Sequence, residues 1–522
     1  MICLRIHRQD VRGRPVEGWR AAARPALALC LIAQVASPAC AQTAELRPAI
    51  ETSVGVTDNG GGAPSAQARK DAIALVRPTL HIAADSRLLK FRALLGADLI
   101  AYANGTQPNR AFPRVLADGT GTLVERLLFL DASASVRAAE RDPYAARSEA
   151  GSTQNREVTS VYRLSPYLNW DLSSASNLFA RVEEITARGD AGSATNQRFT
   201  NADLRWSTRP LPWGGRIEYE SHAVRFSVPA DSTVTIRTLK ASGDVALGGE
   251  FVVGPSVGVE RIAADSDTQT EGYYGAHFTW SPSERTQLAA EAARRFFGTG
   301  WKLELHHRAP WATLSVDWER APVTRSQSLG VVDSANGLNA FLDAILTTRY
   351  PDPTARSSVV SGLVANRGLQ PGAQGAIDVR ANYAQVQNNF NASVVFLGAR
   401  NIASFGVYVL TLRGLAREAD LLGSAVPAAS DSRQIGASVE FNRRLTPQLT
   451  VDLTSTWSRI SGLEDAAGQS TSQQSHRLAF VRAVSPRTAV SIGFRHDALR
   501  SNLAVVQSYA ANSAFVGMNH KF

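Results

Sequence analysis

The chain has 522 residues, 44% of them hydrophobic and only 19% charged, with a formal net charge of +9. Its three cysteines, Cys3, Cys30 and Cys40, all lie near the amino terminus. A chain trimmed of that segment has no thiol, which excludes a disulfide scaffold, a cysteine nucleophile and a thiolate metal site.

Residues 1–41 predict an export signal. Arg5, Arg8, Arg12, Arg14, Arg20 and Arg24 form a basic leader, and an apolar stretch runs from Pro25 to Ala36. That stretch is too short to span a bilayer but suits a signal core. Ala39 and Ala41 supply the small residues of a cleavage site after Ala41. Six arginines and two acids leave with it, so the mature chain, 42–522, carries +5.

The mature chain holds no run of 18 apolar residues, so membrane-spanning helices are not expected. It alternates with period two instead, the pattern of half-apolar strands. Leu128, Leu130, Ala132, Ala134 and Val136 oppose Asp131, Ser133, Ser135 and Arg137. Trp301, Leu303 and Leu305 oppose Lys302, Glu304, His306 and Arg308. Ile435, Ala437, Val439 and Phe441 oppose Gln434, Ser438, Glu440 and Asn442. The apolar face needs a partner, either a second sheet or lipid. Lipid is favoured because the segments run about 9–14 residues, the span of a tilted membrane strand. Tryptophans also sit at segment ends, as Trp213, Trp280, Trp301, Trp318 and Trp457 do, where interfacial girdles form.

Connections alternate between short and long. Short ones fall at Asp85, Arg126, Ser173, Arg209, Gly248, Pro282, Pro310, Asn401, Pro447 and Pro486. Ten such turns imply about 22 strands, with an uncertainty of two to four and 18 as the lower bound; the first starts near Ile50 and the last ends at Phe522. Segments 176–187 and 286–296 alternate poorly. The predicted fold is all-β: a transmembrane antiparallel outer-membrane β-barrel with short periplasmic turns and longer outer loops.

One insertion, about 324–376, breaks the rhythm. Helical spacing predicts a helix over 338–348 with Leu338, Phe341 and Ile345 on one stripe. Asp352 and Pro353 predict a second start, with Val359 and Leu363 apolar, over 353–366. This short helical insertion is either an outer loop or a constriction folded into the lumen. At the chain end Val516, Met518 and Phe522 share one face. A terminal aromatic on an amphipathic strand reads as an assembly signal for the barrel-assembly machinery.

Val56–Asn59, Leu127–Val136 and Gly398–Asn401, with the Asp352–Pro353 helix start ahead of the last, resemble the PEP-CTERM system-associated outer-membrane proteins. That family is similar to barrel porins found beside exopolysaccharide biosynthesis and export systems. The resemblance implies a setting and no catalytic or binding residues.

Chemical constellations are few. His306 and His307 point to opposite faces of a strand and cannot chelate one ion, and Glu183 and Glu184 are divided in the same way. Asn59–Gly62 lacks the strand-to-helix setting of a phosphate cradle. No enzyme, metal, cofactor or nucleic-acid function is expected. Arginine is more informative, since the mature chain has 44 arginines against five lysines. Arg137, Arg216, Arg308 and Arg495 alternate onto the polar face. They either brace the wall in ladders with acids or tune the lumen for anionic substrates. The reading is a Gram-negative outer-membrane barrel in contact with outer-membrane lipid. It acts as a channel or export component for polysaccharide or surface proteins. The alternatives are a non-conducting scaffold for secretion components and a lipid- or glycan-modifying enzyme.

The signal reading makes a direct prediction. Amino-terminal sequencing of protein purified from outer membranes gives Gln42 as the first residue; an intact leader in that fraction would refute it.

Overall fold

The structure is a computed structural model that describes residues 43–140, 142, 144–146, 155–189, 196–226, 233–264, 267–322, 385–415 and 431–522. The predicted signal segment and both helices of the insertion lie outside these residues. Twenty-two antiparallel strands form one sheet, from Thr43–Thr57 (β1) to Tyr509–Lys521 (β22). The sheet closes because β1 pairs with β22 over nine residues, from Ala49↔Lys521 to Thr57↔Ser513. Closure leaves no edge, and in hydrocarbon an edge would expose unpaired amide and carbonyl groups. No described helix is longer than a 3-10 turn of three residues, at Ser65–Gln67 and Glu464–Ala466.

All ten short turns fall within a few residues of their expected positions, such as Asp85 to Leu89, Ser173 to Ser176 and Ala483 to Thr488. Pro282 and Asn401 themselves belong to strands, with the turns at 284–285 and 398–400. The strand ends at Thr43 and Lys521 lie on that same side. That side therefore faces the periplasm, and the longer loops lie outside. The first strand begins seven residues earlier than expected, at Thr43 rather than Ile50, because the outward positions Ala44, Leu46 and Pro48 continue the apolar stripe. The two poorly alternating segments are strands, Ser176–Gly189 (β7) and Thr286–Arg295 (β13). Their alternation is hidden for different reasons. In β7 the inward positions Ile185 and Ala187 are apolar, whereas in β13 alanines fill both faces.

Two connections on the loop side are tighter than the rhythm implies. Phe251–Ala264 (β11) passes to Asp267–Ser283 (β12) almost at once. β13 turns through Phe296 and Phe297 into Gly298–Arg308 (β14). Gly298 takes φ +96°, a value that side chains strongly disfavour, so the tight turn depends on glycine there.

Register separates the two faces of the wall. Val54, Val182 and Phe405 lie outward and exposed, while Arg77, on Asp71–Asp85 (β2), lies inward against Glu51. The eight described tryptophans all belong to the outer surface. Trp170, Trp206, Trp213, Trp280 and Trp311 ring its periplasmic end. Trp301, Trp318 and Trp457 lie toward the loops. Trp311 stacks on Phe396 at 5.7 Å, and Trp301 meets Trp318 edge-on at 5.3 Å. Two aromatic girdles around an apolar band match the interfaces of a bilayer. The molecule is a Gram-negative outer-membrane β-barrel.

The seam between β1 and β22 is pinned at its outer end by two residues of the Val56–Asn59 motif. The Asp58 carboxylate accepts the backbone N–H and the Nδ2 of Asn512, both at 2.8 Å. Asn59, 2% exposed, donates Nδ2 to the carbonyls of Ala510 (3.0 Å) and Ala63 (2.6 Å) and accepts the Ala63 N–H at 3.0 Å. Asn59→Ala leaves these backbone groups without partners. We expect a loss of about 2 kcal/mol, read as a lower temperature for the gel shift of the folded barrel. An unchanged shift temperature would show that the seam does not depend on this pin.

Candidate functional site

The candidate site is the inner wall. Because side chains alternate along a strand, every second residue faces the lumen, and the sequence places charges there on consecutive strands. Register then decides which charges meet. Arg77 bridges Glu51 at 3.0 Å and Asp98 at 2.6 Å, tying β1 and β2 to Leu89–Tyr102 (β3). Farther round the wall, Arg181 of β7 meets Asp131 of Leu128–Glu140 (β5) at 3.2 Å.

A polar relay crosses the next four strands, Arg156–Ser173 (β6), β7, Gln197–Thr208 (β8) and Trp213–Phe226 (β9). Arg163 lies 3.0 Å from Glu183, which accepts Asn201 Nδ2 at 3.0 Å, and Asn201 Oδ1 is 3.1 Å from His222 Nδ1.

The densest cluster spans β9, Thr233–Leu247 (β10), β11, β12 and β13. Lys240 sits between Glu218 at 3.1 Å and Glu291 at 3.4 Å, and Tyr273 donates its hydroxyl to Glu291 at 2.5 Å. Arg295 grips Glu260 through Nε (2.9 Å) and Nη2 (2.5 Å). Glu260 also accepts the Thr238 hydroxyl at 3.1 Å and has a side chain with no exposure at all. His277 lies 2.6 Å from Asp244. A buried carboxylate with several donors is a braced group, since removing one partner strands the other in a poor solvent for charge.

All four predicted arginines lie on the lumen face, on β5, β9, β14 and Thr488–Ser501 (β21). Arg495 pairs with Asp497 at 2.8 Å, while Arg216 stands 3.9 Å from Asp244. Arg137 and Arg308 also have interaction partners. The four do not converge, because they stand on widely separated strands. Arg495 and Asp497 stand on the same strand, so their pair braces no neighbour. His306 and His307 take opposite faces, bonding Ser315 at 3.2 Å and Thr286 at 2.8 Å. Among the described residues no group of three His, Cys, Asp or Glu side chains could hold a metal ion. The constriction candidates Leu338, Phe341, Ile345, Val359 and Leu363 lie outside the described residues. Val516, Met518 and Phe522 face outward and exposed.

Two features of the wall are not legible in the sequence. Glu218, Lys240, Glu260 and Glu291 form one cluster, which parity hinted at but only register assembles. Toward the loop end of β7–β11 the lumen face turns apolar. Ile185, Phe199, Val224, Ile236 and Ile262 are all buried there, in a cluster with Phe296 and Phe297.

No family model and no curated protein matches the chain. Among solved structures it is similar to the FrpB iron transporter of Neisseria meningitidis, at 10% identity and a TM-score of 0.46, over 91% of this chain and 82% of that one. The siderophore receptor PirA of Acinetobacter baumannii stands at 10% identity and 0.45, over 92% and 81%. A loop-deletion mutant of OmpT, an outer membrane protein of Vibrio cholerae, stands at 7% and 0.32, over 92% and 99%. The closed sheet of the chain itself, and not these likenesses, carries the fold and the membrane location.

The wall makes a graded prediction. Glu260→Ala strands Arg295 and destabilises the barrel by about 3 kcal/mol, whereas Arg216→Gln, at a long and partly exposed contact, changes stability by less than about 1 kcal/mol. Urea midpoints of the refolded variants test this; equal midpoints would remove the bracing role from the Glu260 cluster.

Proposed function

We propose that this barrel is a channel or export-associated component of an exopolysaccharide or surface-protein sorting system of the PEP-CTERM kind, without catalytic activity of its own. The observation that carries the transport reading is the polar inner wall. Charged and hydroxyl side chains line the lumen face on strand after strand beneath an apolar outer face. A structure that only anchored itself in lipid would not need that lining. Because the charges are paired, the wall offers hydroxyls, amides and ion-pair dipoles rather than a strong field of one sign. Such a surface suits a hydroxyl-rich polymer better than a small free ion. The motifs at Val56–Asn59, Leu127–Val136 and Gly398–Asn401 supply the polysaccharide setting. The outward Val516, Met518 and Phe522 supply the contact for barrel assembly.

A second reading, a non-conducting scaffold for secretion components, rests on one observation. The buried apolar cluster on β7–β11 and at the Phe296–Phe297 turn occupies the lumen face toward its outer mouth.

Planar bilayers separate the two. The mature barrel, shown to be folded by its gel shift on heating, is expected to give discrete conductance steps that added export polysaccharide lowers. A folded preparation with no conductance would discard the channel reading and leave the scaffold.

A further inference from the structure

The lumen accounts for only part of the arginine. A second set stands on the lipid-facing side, just above the apolar band at the loop end. In the first arc, Arg198 of β8 lies directly opposite Arg225 of β9. Arg237 of β10 lies directly opposite Arg261 of β11. All four are exposed, and each stands within five residues of the outer end of its strand. Two residues further into the membrane on the same face come Leu239 and Val259, both exposed and apolar.

A second arc occupies Asn401–Gly414 (β17), Ser432–Arg444 (β18), Leu449–Gly462 (β19) and β21. Arg433 pairs in register with Thr411 and Ser461, which sets it diagonal to both Arg413 and Arg459. Ser472, on Ser470–Ala483 (β20), then sits in register between Arg459 and Arg500. Trp457 of the outer girdle lies two residues below Arg459.

The periplasmic end of the same face is built differently. The outward strand positions there carry only Arg443 and Arg482 as charges.

Like charges directly opposite on neighbouring strands are destabilising. Glu184 answers Arg198, and Arg225 and Arg413 have interaction partners of their own. No described acid pairs with Arg237, Arg261, Arg433, Arg459 or Arg500. Diagonal neighbours stand about 7–8 Å apart, a separation at which two guanidinium forks reach oxygens of one phosphate. Guanidinium is the side chain best shaped for that ligand. Neither arc faces water alone, because both sit at the height where the headgroups of the outer leaflet begin.

We propose that these two arcs form a guanidinium belt that binds the phosphorylated headgroups of outer-leaflet lipid, with lipid A as the ligand. The bound phosphates neutralise the opposed arginines, so the belt both holds lipid and fixes the height of the barrel. The proposal depends on the outer-membrane location and not on whether the lumen conducts.

The test uses the full mature barrel in detergent, with bound lipid counted by native mass spectrometry. Probes are bisphosphorylated lipid A, the same lipid with its phosphates removed, and inorganic phosphate as competitor. The variant R237Q/R261Q/R433Q/R459Q is expected to bind bisphosphorylated lipid A at least about tenfold more weakly than wild type. Removing the phosphates from the lipid should abolish the difference, and R443Q/R482Q should bind like wild type. Inorganic phosphate at equal concentration should not displace the lipid. Wild type alone provides a second reading, since its affinity for lipid A should fall steeply between low and high salt. Equal binding by wild type and a folded quadruple variant would overturn the proposal. So would salt-independent binding, or equal affinity for the dephosphorylated lipid. Displacement by inorganic phosphate would assign the belt to a free anion instead.

Discussion

Inside hydrocarbon no water is available to satisfy a backbone amide or carbonyl, and this single constraint organises the molecule. A sheet can meet it only by closing on itself. Closure here falls to the pairing of β1 with β22, and it is secured beyond the ladder by the side chains of Asp58 and Asn59. The short motif that most marks this sequence is therefore mechanical. Its acid and amide satisfy backbone groups that belong to the far end of the chain.

Once the sheet is closed, each residue is assigned to lipid or lumen by parity alone, and the same residue type acquires different roles. Inward arginines are matched to acids on the next strand, as Arg77 and Arg163 are, or across one intervening strand, as Arg295 is. They lock strand to strand and leave a wall with little net field. Outward arginines such as Arg237 and Arg261 face one another. They have charge to offer to the membrane. Composition counts both alike, so the excess of arginine over lysine is two structural devices superimposed.

Much of the architecture was legible because period-two alternation and turn residues are local signals. The ten short turns carry Pro, Gly, Ser or Arg between their strands, and each interrupts an apolar stripe. Stripes such as Leu449, Val451 and Leu453 needed no structure to be assigned a face. What stayed hidden depends on register, which links residues far apart in sequence. Nothing near Glu260 announces Arg295, because their meeting requires β11, β12 and β13 to align as they do. The outer arginines were hidden for a related reason. A charge on the apolar parity looks like a lapse in alternation until its height on the strand is known. Inward Ile185 and Ile262 break the pattern in the opposite sense, as apolar residues on the face expected to be polar.

The seam also bears on how the molecule comes to exist. Asp58 and Asn512 are separated by 454 positions, so the contact that closes the sheet joins nearly the full contour of the chain. Closing so long a loop is entropically slow, and contacts of such separation delay folding. Until it happens, the two terminal strands present ladders that any neighbouring strand could fill. Assembly is thus a kinetic race between self-pairing and pairing with strangers. Of the contacts made by Asp58 and Asn59 with the last strand, only the one from Asn512 Nδ2 needs a particular side chain, so a foreign strand without an asparagine in that register makes a weaker seam.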